Sequence, residues 1–255
     1  MGETKHSADL PEELMRSRNE ERHRSLLDLI EQKALDVGLA AWLISHVSKG
    51  ASFITGAGPG GVGKTTTMRA LLAFAPGDRP FSIALPGDIS AVDGVPSCVV
   101  SHELSDHPPP AYIWGQDLRD FFALSQQDHM LVGNMHADDL AEVQSQIVEA
   151  NDVPEAQFRA MNLFAFVRVE GADPSAGRIK DPVSRRYFNE IYYSDGTGPH
   201  ACVFSCQEGL SASAPRDAAY ADRCRQFLEA ALADEVRPIE TLRRRFLDWE
   251  KEQGS

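Results

Sequence analysis

The sequence lacks the features that would place it in a membrane or on a nucleic acid. No apolar run approaches the ~18 residues needed to span a bilayer, and the N-terminus is too polar for a signal peptide. The net charge is −13 at pH 7, whereas a phosphate backbone or an anionic lipid surface demands a basic footprint. We therefore expect no transmembrane segment, no nucleic-acid partner and a cytoplasmic location.

Cysteine is also scarce, with four residues in the chain. Cys202 and Cys206 are close together within an apparent strand, while Cys98 and Cys224 are distant from them and from each other. No His or Cys pair has the spacing of zinc ligands. The pattern favours buried, reduced thiols over a metal site.

What the chain does contain is a phosphate-binding loop. Residues 58–65 read GPGGVGKT, which matches G-x-x-x-x-G-K-[ST]. A β-branched and aromatic run at 53–55 precedes the loop, and a helix-like pattern at 68–72 follows it. The backbone N–H groups of such a loop wrap a polyphosphate, and the helix N-terminus attracts its negative charge. The sequence therefore predicts a site for a nucleoside triphosphate.

Within this loop the lysine and the following hydroxyl have separate tasks. Lys64 is expected to reach the β- and γ-phosphates, and the Thr65 hydroxyl to ligate Mg²⁺. No guanine-reading N-K-x-D is present, so the predicted cofactors are ATP and Mg²⁺. The predicted nucleotide-binding residues are Gly58, Pro59, Gly60, Gly61, Val62, Gly63, Lys64, Thr65 and Thr66.

Two other uses of a glycine-rich loop are disfavoured. Gly58, Gly60 and Gly63 also spell G-x-G-x-x-G, with Asp78 twenty residues after the first glycine. A dinucleotide fold has no need of the Lys-Thr pair, however, whereas a triphosphate site does. A small-molecule kinase would need an acceptor pocket, for which the sequence shows no signature.

The rest of the chain alternates between strand and helix patterns. Strand patterns occupy 81–85, 98–101, 111–114, 129–135, 163–169, 187–193 and 200–206, and helical patterns occupy 11–35, 39–47, 140–150, 154–161 and 216–252. This order predicts a three-layer α/β P-loop NTPase core with a mostly parallel sheet. We divide the chain into a helical N-terminal lead (1–48), the core (49–210) and a C-terminal helical segment (211–255).

Further motifs lie at 136–139 (HADD), 146–154 (QIVEANDVP) and 185–192 (RRYFNEIY). In this order they resemble motifs of the secretion ATPases, the hexameric motors of type II and type IV secretion and of type IV and tight-adherence pili. Residues 136–139 (HADD) resemble the histidine box of that family. Residues 146–154 (QIVEANDVP) are similar to its L-I-D-M-G-V-E-P, and 185–192 (RRYFNEIY) to its R-R-V-T-E-I-Y. The similarity extends over roughly residues 40–205.

The resemblance implies a RecA-like core that hydrolyses ATP with Mg²⁺ and couples hydrolysis to movement or assembly of partner proteins. Those partners would belong to a membrane-associated secretion or pilus machine, and the chain would form a homo-oligomer, by resemblance a hexamer. Motors of this type complete their sites with arginines from a neighbouring subunit. The candidates are Arg119, Arg168, Arg178, Arg185 and Arg186.

The same resemblance allows two placements of the Walker B acid. Residues 113–120 are similar to L-V-G-E-I-R-D and put Asp117 at the catalytic, Mg²⁺-binding position, on a strand next to the P-loop strand. Residues 131–136 also look like L-V-G-E-I-R and put the neutral Asn134 there, which would cripple hydrolysis. We favour the first placement. The Mg²⁺ ligands are then Thr65 and Asp117.

Two further catalytic candidates follow. The acidic box of the family (T-I-E-D) is lost at 82–85 unless Glu103 takes its place, and His136 is expected to sense the γ-phosphate. Asp138 and Asp139 are better explained as caps of a helix beginning at residue 140. The predicted catalytic residues are Lys64, Asp117, Glu103 and His136.

Two alternative functions stay open. The loop resembles K-G-G-V-G-K-T-T of the partitioning and positioning ATPases, but their signature lysine falls on Pro59 here. The second alternative is a nucleotide-binding regulatory or scaffold subunit with weak or no hydrolysis. The blurred acidic boxes favour it, as does a lead of only about fifty residues where the motors have a large N-terminal domain.

Overall fold

The computed structural model describes residues 10–12, 22–92, 94–107, 111–173, 177–181 and 183–253. Within them the chain forms ten strands in one sheet. These are β1 (Phe53–Gly56), β2 (Phe81–Ala84), β3 (Cys98–Ser101), β4 (Glu103–Leu104), β5 (Tyr112–Ile113), β6 (Met130–Met135), β7 (Leu163–Val169), β8 (Arg186–Tyr193), β9 (Ala201–Ser205) and β10 (Gly209–Leu210).

Eight α-helices of the described ranges cover this sheet. They are α1 (Leu26–Glu31), α2 (Val37–Val47), α3 (Lys64–Leu72), α4 (Gln116–Ala123), α5 (Leu140–Gln144), α6 (Glu155–Ala160), α7 (Ala218–Ala233) and α8 (Ile239–Gln253). A 3₁₀ turn follows α4 at Leu124–Gln127, and a π turn follows α5 at Ser145–Glu149. No described helix has the length and apolarity to cross a bilayer.

The sheet order is β10-β9-β8-β7-β1-β6-β3-β2, with β4 pairing to β6 and β5 pairing to β4. Six of the nine strand pairs are parallel, and the antiparallel pairs lie on the β7–β10 side. The P-loop strand β1 therefore lies between β6 and β7, and β6 separates it from β3. Because parallel strands run in one direction, β1, β3 and β6 end at the same edge of the sheet.

Side-chain alternation along each strand divides the core between the two faces of the sheet. In β1, Phe53 packs in one cluster and Ile54 in the other; in β6, Met130 and Leu131 divide in the same way. The first cluster also takes in side chains of α1, α2, α3, α7 and α8, and the second takes in those of α4, α5 and α6. The predicted three-layer α/β fold with a mostly parallel sheet is confirmed.

Several local expectations can be compared with the structure. Residues 13–21 of the N-terminal helical pattern at 11–35 lie outside the described residues, and the described part of that stretch is helical at Leu26–Glu31. The three-domain division of the chain stays a prediction, although α2 contacts both α3 and α7. Of the four free cysteines, Cys98 and Cys224 are buried as expected, but the expectation is wrong for Cys202 and Cys206. Those two are exposed because β9 lies near the edge of the sheet, where its alternate side chains stay uncovered.

Candidate active site

The phosphate-binding loop joins β1 to α3 at the carboxyl edge of the sheet. Its turn depends on two glycines with positive φ, Gly61 at +79° and Gly63 at +117°, a region that other residues rarely adopt. Gly63 directly precedes α3, which begins at Lys64 and runs for nine residues. The loop therefore lies at the positive end of the helix dipole, where an anion is stabilised.

Lys64 lies at the floor of a cavity of about 430 Å³. Its side chain is only 7% exposed. Nζ donates to the Ala57 carbonyl at 3.2 Å and lies 3.1 Å from His136 Nδ1 and 3.5 Å from Glu103 Oε1. Burial lowers the pKa of Lys64, and the Glu103 carboxylate opposes that lowering. The structure thus brings together three of the predicted catalytic residues.

Glu103 reaches this cavity from the start of β4, which pairs with β6, the strand next to the P-loop strand. Its side chain is 8% exposed, and Oε1 lies 3.6 Å from His136 Nε2. Among the described residues, Oε1 accepts no hydrogen bond. A buried carboxylate oxygen without a hydrogen bond is costly, and in a cavity beside a phosphate loop it is suited to accept a bond from a ligand or water.

Asn134 ties the neighbouring strands together below the loop. It lies on β6 opposite Thr55 of β1, whose hydroxyl donates to Asn134 Oδ1. Asn134 Nδ2 donates to the His102 carbonyl at 3.0 Å and lies 3.5 Å from Thr65 Oγ1. The amide therefore links the magnesium-binding hydroxyl expected from the sequence to the residue before Glu103.

Asp117 lies elsewhere, and the expectation that it stands on a strand next to the P-loop strand is wrong. The neighbours of β1 are β6 and β7, whereas Asp117 is in the first turn of α4. Its carboxylate accepts a hydrogen bond from Gly87 N at 3.2 Å. The chain turns at Gly115 (φ +62°) and buries Leu118, Phe121 and Phe122 at helical spacing, so a helix forms where the motif alignment requires a strand.

Asp138 contacts the first glycine of the loop, a role that the sequence did not indicate. Its Oδ1 accepts the Gly58 N–H at 2.8 Å, and Arg168 of β7 pairs with the carboxylate and donates to the Asp138 carbonyl at 2.7 Å. The expected helix cap belongs to Asp139 alone, which accepts Glu142 N at 2.8 Å. Asp138 is thus available to fix the start of the loop.

The residues predicted to bind nucleotide divide into two groups. Residues 60–66 line the cavity together with Glu103, Tyr112, His136 and Arg178. Gly58 instead makes the contact to Asp138, its carbonyl lies 2.8 Å from His136 Nδ1, and Pro59 is buried beside it.

The oxygen atoms at the cavity fit Mg²⁺ held with phosphates and water. The Thr65 hydroxyl and the orphaned Glu103 carboxylate oxygen are hard donors of the type that Mg²⁺ takes, and its sites often include only one or two carboxylates. Within the described ranges, no group of three or more His, Cys, Asp or Glu side chains is placed to form an all-protein cage.

Comparison with known proteins gives limited similarity. No family model matches the chain, and no curated protein matches it. One similar solved structure is the VirB11 ATPase from the Brucella suis type IV secretion system in complex with sulphate, at 16% identity and a TM-score of 0.39, covering 73% of this chain and 56% of that chain. Another is the Legionella pneumophila ATPase DotB, at 10% identity and a TM-score of 0.39, covering 89% of this chain and 62% of that chain.

The chain therefore spans less than two thirds of either structure. The first is a type IV secretion ATPase by its description, and the second is described as an ATPase. With TM-scores below 0.5, they add nothing to the functional argument, which depends on the site itself.

Proposed function

We propose that the protein binds ATP with Mg²⁺ at the P-loop and hydrolyses it. The observation that carries the proposal is the meeting of Lys64, Glu103 and His136 in the cavity that the loop lines. These residues come from three parts of the chain, and each ends or follows a strand at the same edge of the sheet. Ligands of open α/β sheets bind at that edge.

The residues then divide the work as follows. Backbone N–H groups of the loop and the Lys64 ammonium bind the phosphates, and the Thr65 hydroxyl would hold Mg²⁺, which neutralises charge on the phosphate oxygens. Glu103 Oε1 accepts the hydrogen bond of the attacking water and takes its proton. His136 lies beside Lys64 and Glu103, where it can contact the γ-phosphate. Asn134 and Asp138 position the strand edge and the loop.

The wider role follows from the motif resemblance. We propose that hydrolysis drives movement or assembly of partner proteins in a secretion or pilus machine, with the chain working as a homo-oligomer, by resemblance a hexamer. Mass in solution, with and without ATP–Mg²⁺, tests the oligomer. A monomer under both conditions contradicts it while leaving the nucleotide site intact.

The first prediction is that Lys64→Ala abolishes nucleotide binding or turnover. The variant removes the only lysine that lines the cavity formed by the described residues, and with it the cation that meets the β- and γ-phosphates. ATP–Mg²⁺ affinity and phosphate release are measured on both proteins. Lys251→Ala, on a side chain that is 77% exposed on α8, is the matched control and keeps wild-type values.

Loss of Lys64 leaves the Glu103 carboxylate buried without its cation, so the fold of the variant is checked by thermal unfolding. A folded Lys64→Ala protein with unchanged ATP affinity contradicts the proposal. Wild-type protein that binds ATP–Mg²⁺ without releasing phosphate supports the regulatory or scaffold alternative instead.

A further inference from the structure

A short segment from the β7–β8 connection lies against the outer side of the phosphate loop. Gly60 N donates to the Gly177 carbonyl at 3.0 Å, and Ile179 N donates to the Gly60 carbonyl at 2.8 Å. These two bonds form an isolated parallel bridge between Gly60 and Arg178. A Cβ at Gly61 would overlap the Ile179 carbonyl, so glycine is required for this contact as well as for the loop turn.

The bridge fixes the backbone of Arg178 beside the phosphate loop. Its side-chain carbon Cγ lies 3.6 Å and 3.8 Å from the positions that a Cβ would take at Gly60 and Gly61. Arg178 also lines the same cavity as Lys64, Thr65 and Glu103. Arg178 is therefore a residue of the nucleotide site of its own chain.

The other candidate arginines already have hydrogen-bond or salt-bridge partners within the described residues. Arg119 donates to Gln116 and to the Asn151 carbonyl, and Arg168 pairs with Asp138. Arg185 pairs with Glu170, and Arg186 donates to the carbonyls of its own loop.

Arg178, by contrast, is exposed. Across the described ranges its guanidinium has no acidic partner within salt-bridge distance. Phosphate oxygens are the natural complement of such a fork of donors, because guanidinium binds them in a bidentate, charge-assisted manner.

We propose that Arg178 is a phosphate-binding residue that acts in cis, donating to the γ-phosphate of the triphosphate bound by its own chain. The proposal rests on the nucleotide site described above and adds a cation to it. It also revises the expectation from the motif resemblance, in which the completing arginine comes from a neighbouring subunit. A cation at the γ-phosphate stabilises the charge that spreads over that group in the transition state.

The test compares Arg178→Ala with Lys180→Ala, an exposed cation two residues further along the same segment. Affinities for ATP–Mg²⁺ and ADP–Mg²⁺ and the rate of phosphate release are measured for both. Arg178→Ala is expected to weaken ATP binding about tenfold, to leave ADP affinity within twofold, and to cut turnover by about 10³-fold, the scale of a transition-state arginine. Lys180→Ala is expected to behave as wild type.

A mixing experiment separates cis from trans action. Arg178→Ala and Lys64→Ala proteins are combined and assayed together. In cis, every site lacks one of the two cations and turnover stays at the level of the separate variants. Recovery of turnover on mixing overturns the cis assignment, since it requires the two residues to come from different chains.

The outcomes also separate this inference from the function on which it rests. Wild-type protein that is folded but binds no ATP contradicts both. Wild-type protein that binds and hydrolyses ATP, with Arg178→Ala indistinguishable from it, contradicts the role of Arg178 alone.

Discussion

At the scale of single residues, the choice of catalytic acid depends on where a carboxylate lies and what already binds it. Glu103 is buried, faces Lys64 and has an oxygen that accepts no hydrogen bond within the described residues. Asp117 lies in a helix and its carboxylate already accepts a backbone N–H. Glu103 can therefore accept a hydrogen bond from a ligand, whereas Asp117 stabilises the chain turn at Gly87.

We therefore expect Glu103→Gln and Asp117→Asn to differ sharply. Glu103→Gln should retain ATP binding and lower hydrolysis by roughly two to four orders of magnitude, the range for loss of a positioned base. Asp117→Asn should stay within about twofold of wild type, because the amide oxygen can still accept from Gly87 N. Single-turnover phosphate release measures both. A large loss in Asp117→Asn with none in Glu103→Gln would restore the first Walker B placement.

The loop itself could be predicted from sequence because its chemistry is local. Eight consecutive residues fix the glycine turns, the lysine and the hydroxyl. The roles of Glu103 and Asp138 could not be predicted from sequence, because they depend on which strands are neighbours in the sheet. Glu103 enters the site through the pairing of β4 with β6, the neighbour of β1, and Asp138 through a hydrogen bond across eighty residues of sequence.

At the scale of elements, the helix that carries the P-loop is held at its far end by a buried arginine. Arg243 of α8 is 1% exposed and donates from Nη1 to the carbonyls of Leu72, Ala73 and Ala75 at 3.4, 3.2 and 2.8 Å. Its guanidinium also lies 5.1 Å from the Phe81 ring centroid. The positive charge thus meets the negative end of the α3 dipole.

Arg243→Met should lower the free energy of unfolding by about 3 kcal/mol. The carbonyls at the end of α3 lose the guanidinium donor, and the methionine side chain has no donor to take its place. Arg244→Met, at the exposed neighbouring position, should change it by less than about 0.5 kcal/mol. Urea denaturation of the two variants gives the comparison. Equal effects would show that the carbonyl contacts contribute nothing beyond loss of a surface charge.

Element boundaries followed from sequence where strands or helices were long enough to show a period. The strand patterns at 98–101, 129–135 and 163–169 match β3, β6 and β7 to within a residue. The two-residue strands β4 and β10 were missed because alternation needs more residues than they have. Asp117 was misplaced for the opposite reason, since a motif alignment was preferred over the helical spacing of Leu118, Phe121 and Phe122.

At the scale of the whole molecule, packing keeps several histidines in an environment that disfavours their charged form. Burial lowers the pKa values of His46, His129 and His200 below the ordinary 6.5. His46 Nδ1 lies 3.0 Å from the Trp42 carbonyl. His200 Nε2 lies 2.6 Å from the Met161 carbonyl, and its ring contacts Phe158 and Phe164. These rings are thus packed as neutral imidazoles in the native state.

The sign of the resulting pH dependence follows from linkage. Above pH 7 both native and unfolded chains hold these rings neutral, so they leave stability unchanged. As the pH falls through about 6.5, the unfolded chain binds protons that the native chain does not, and the free energy of unfolding decreases. The decrease ends below the native pKa values, where both states are protonated.

We therefore expect urea midpoints to fall between pH 7.5 and pH 5.5, and His200→Gln to reduce that fall. His107→Gln, at a side chain that is 77% exposed, serves as the control and should retain the full dependence. The net charge of −13 becomes less negative on acidification in every variant alike, so the difference between the two variants isolates the buried ring. An equal pH dependence in His200→Gln and His107→Gln would mean that His200 is protonated in the native state as readily as in the unfolded chain.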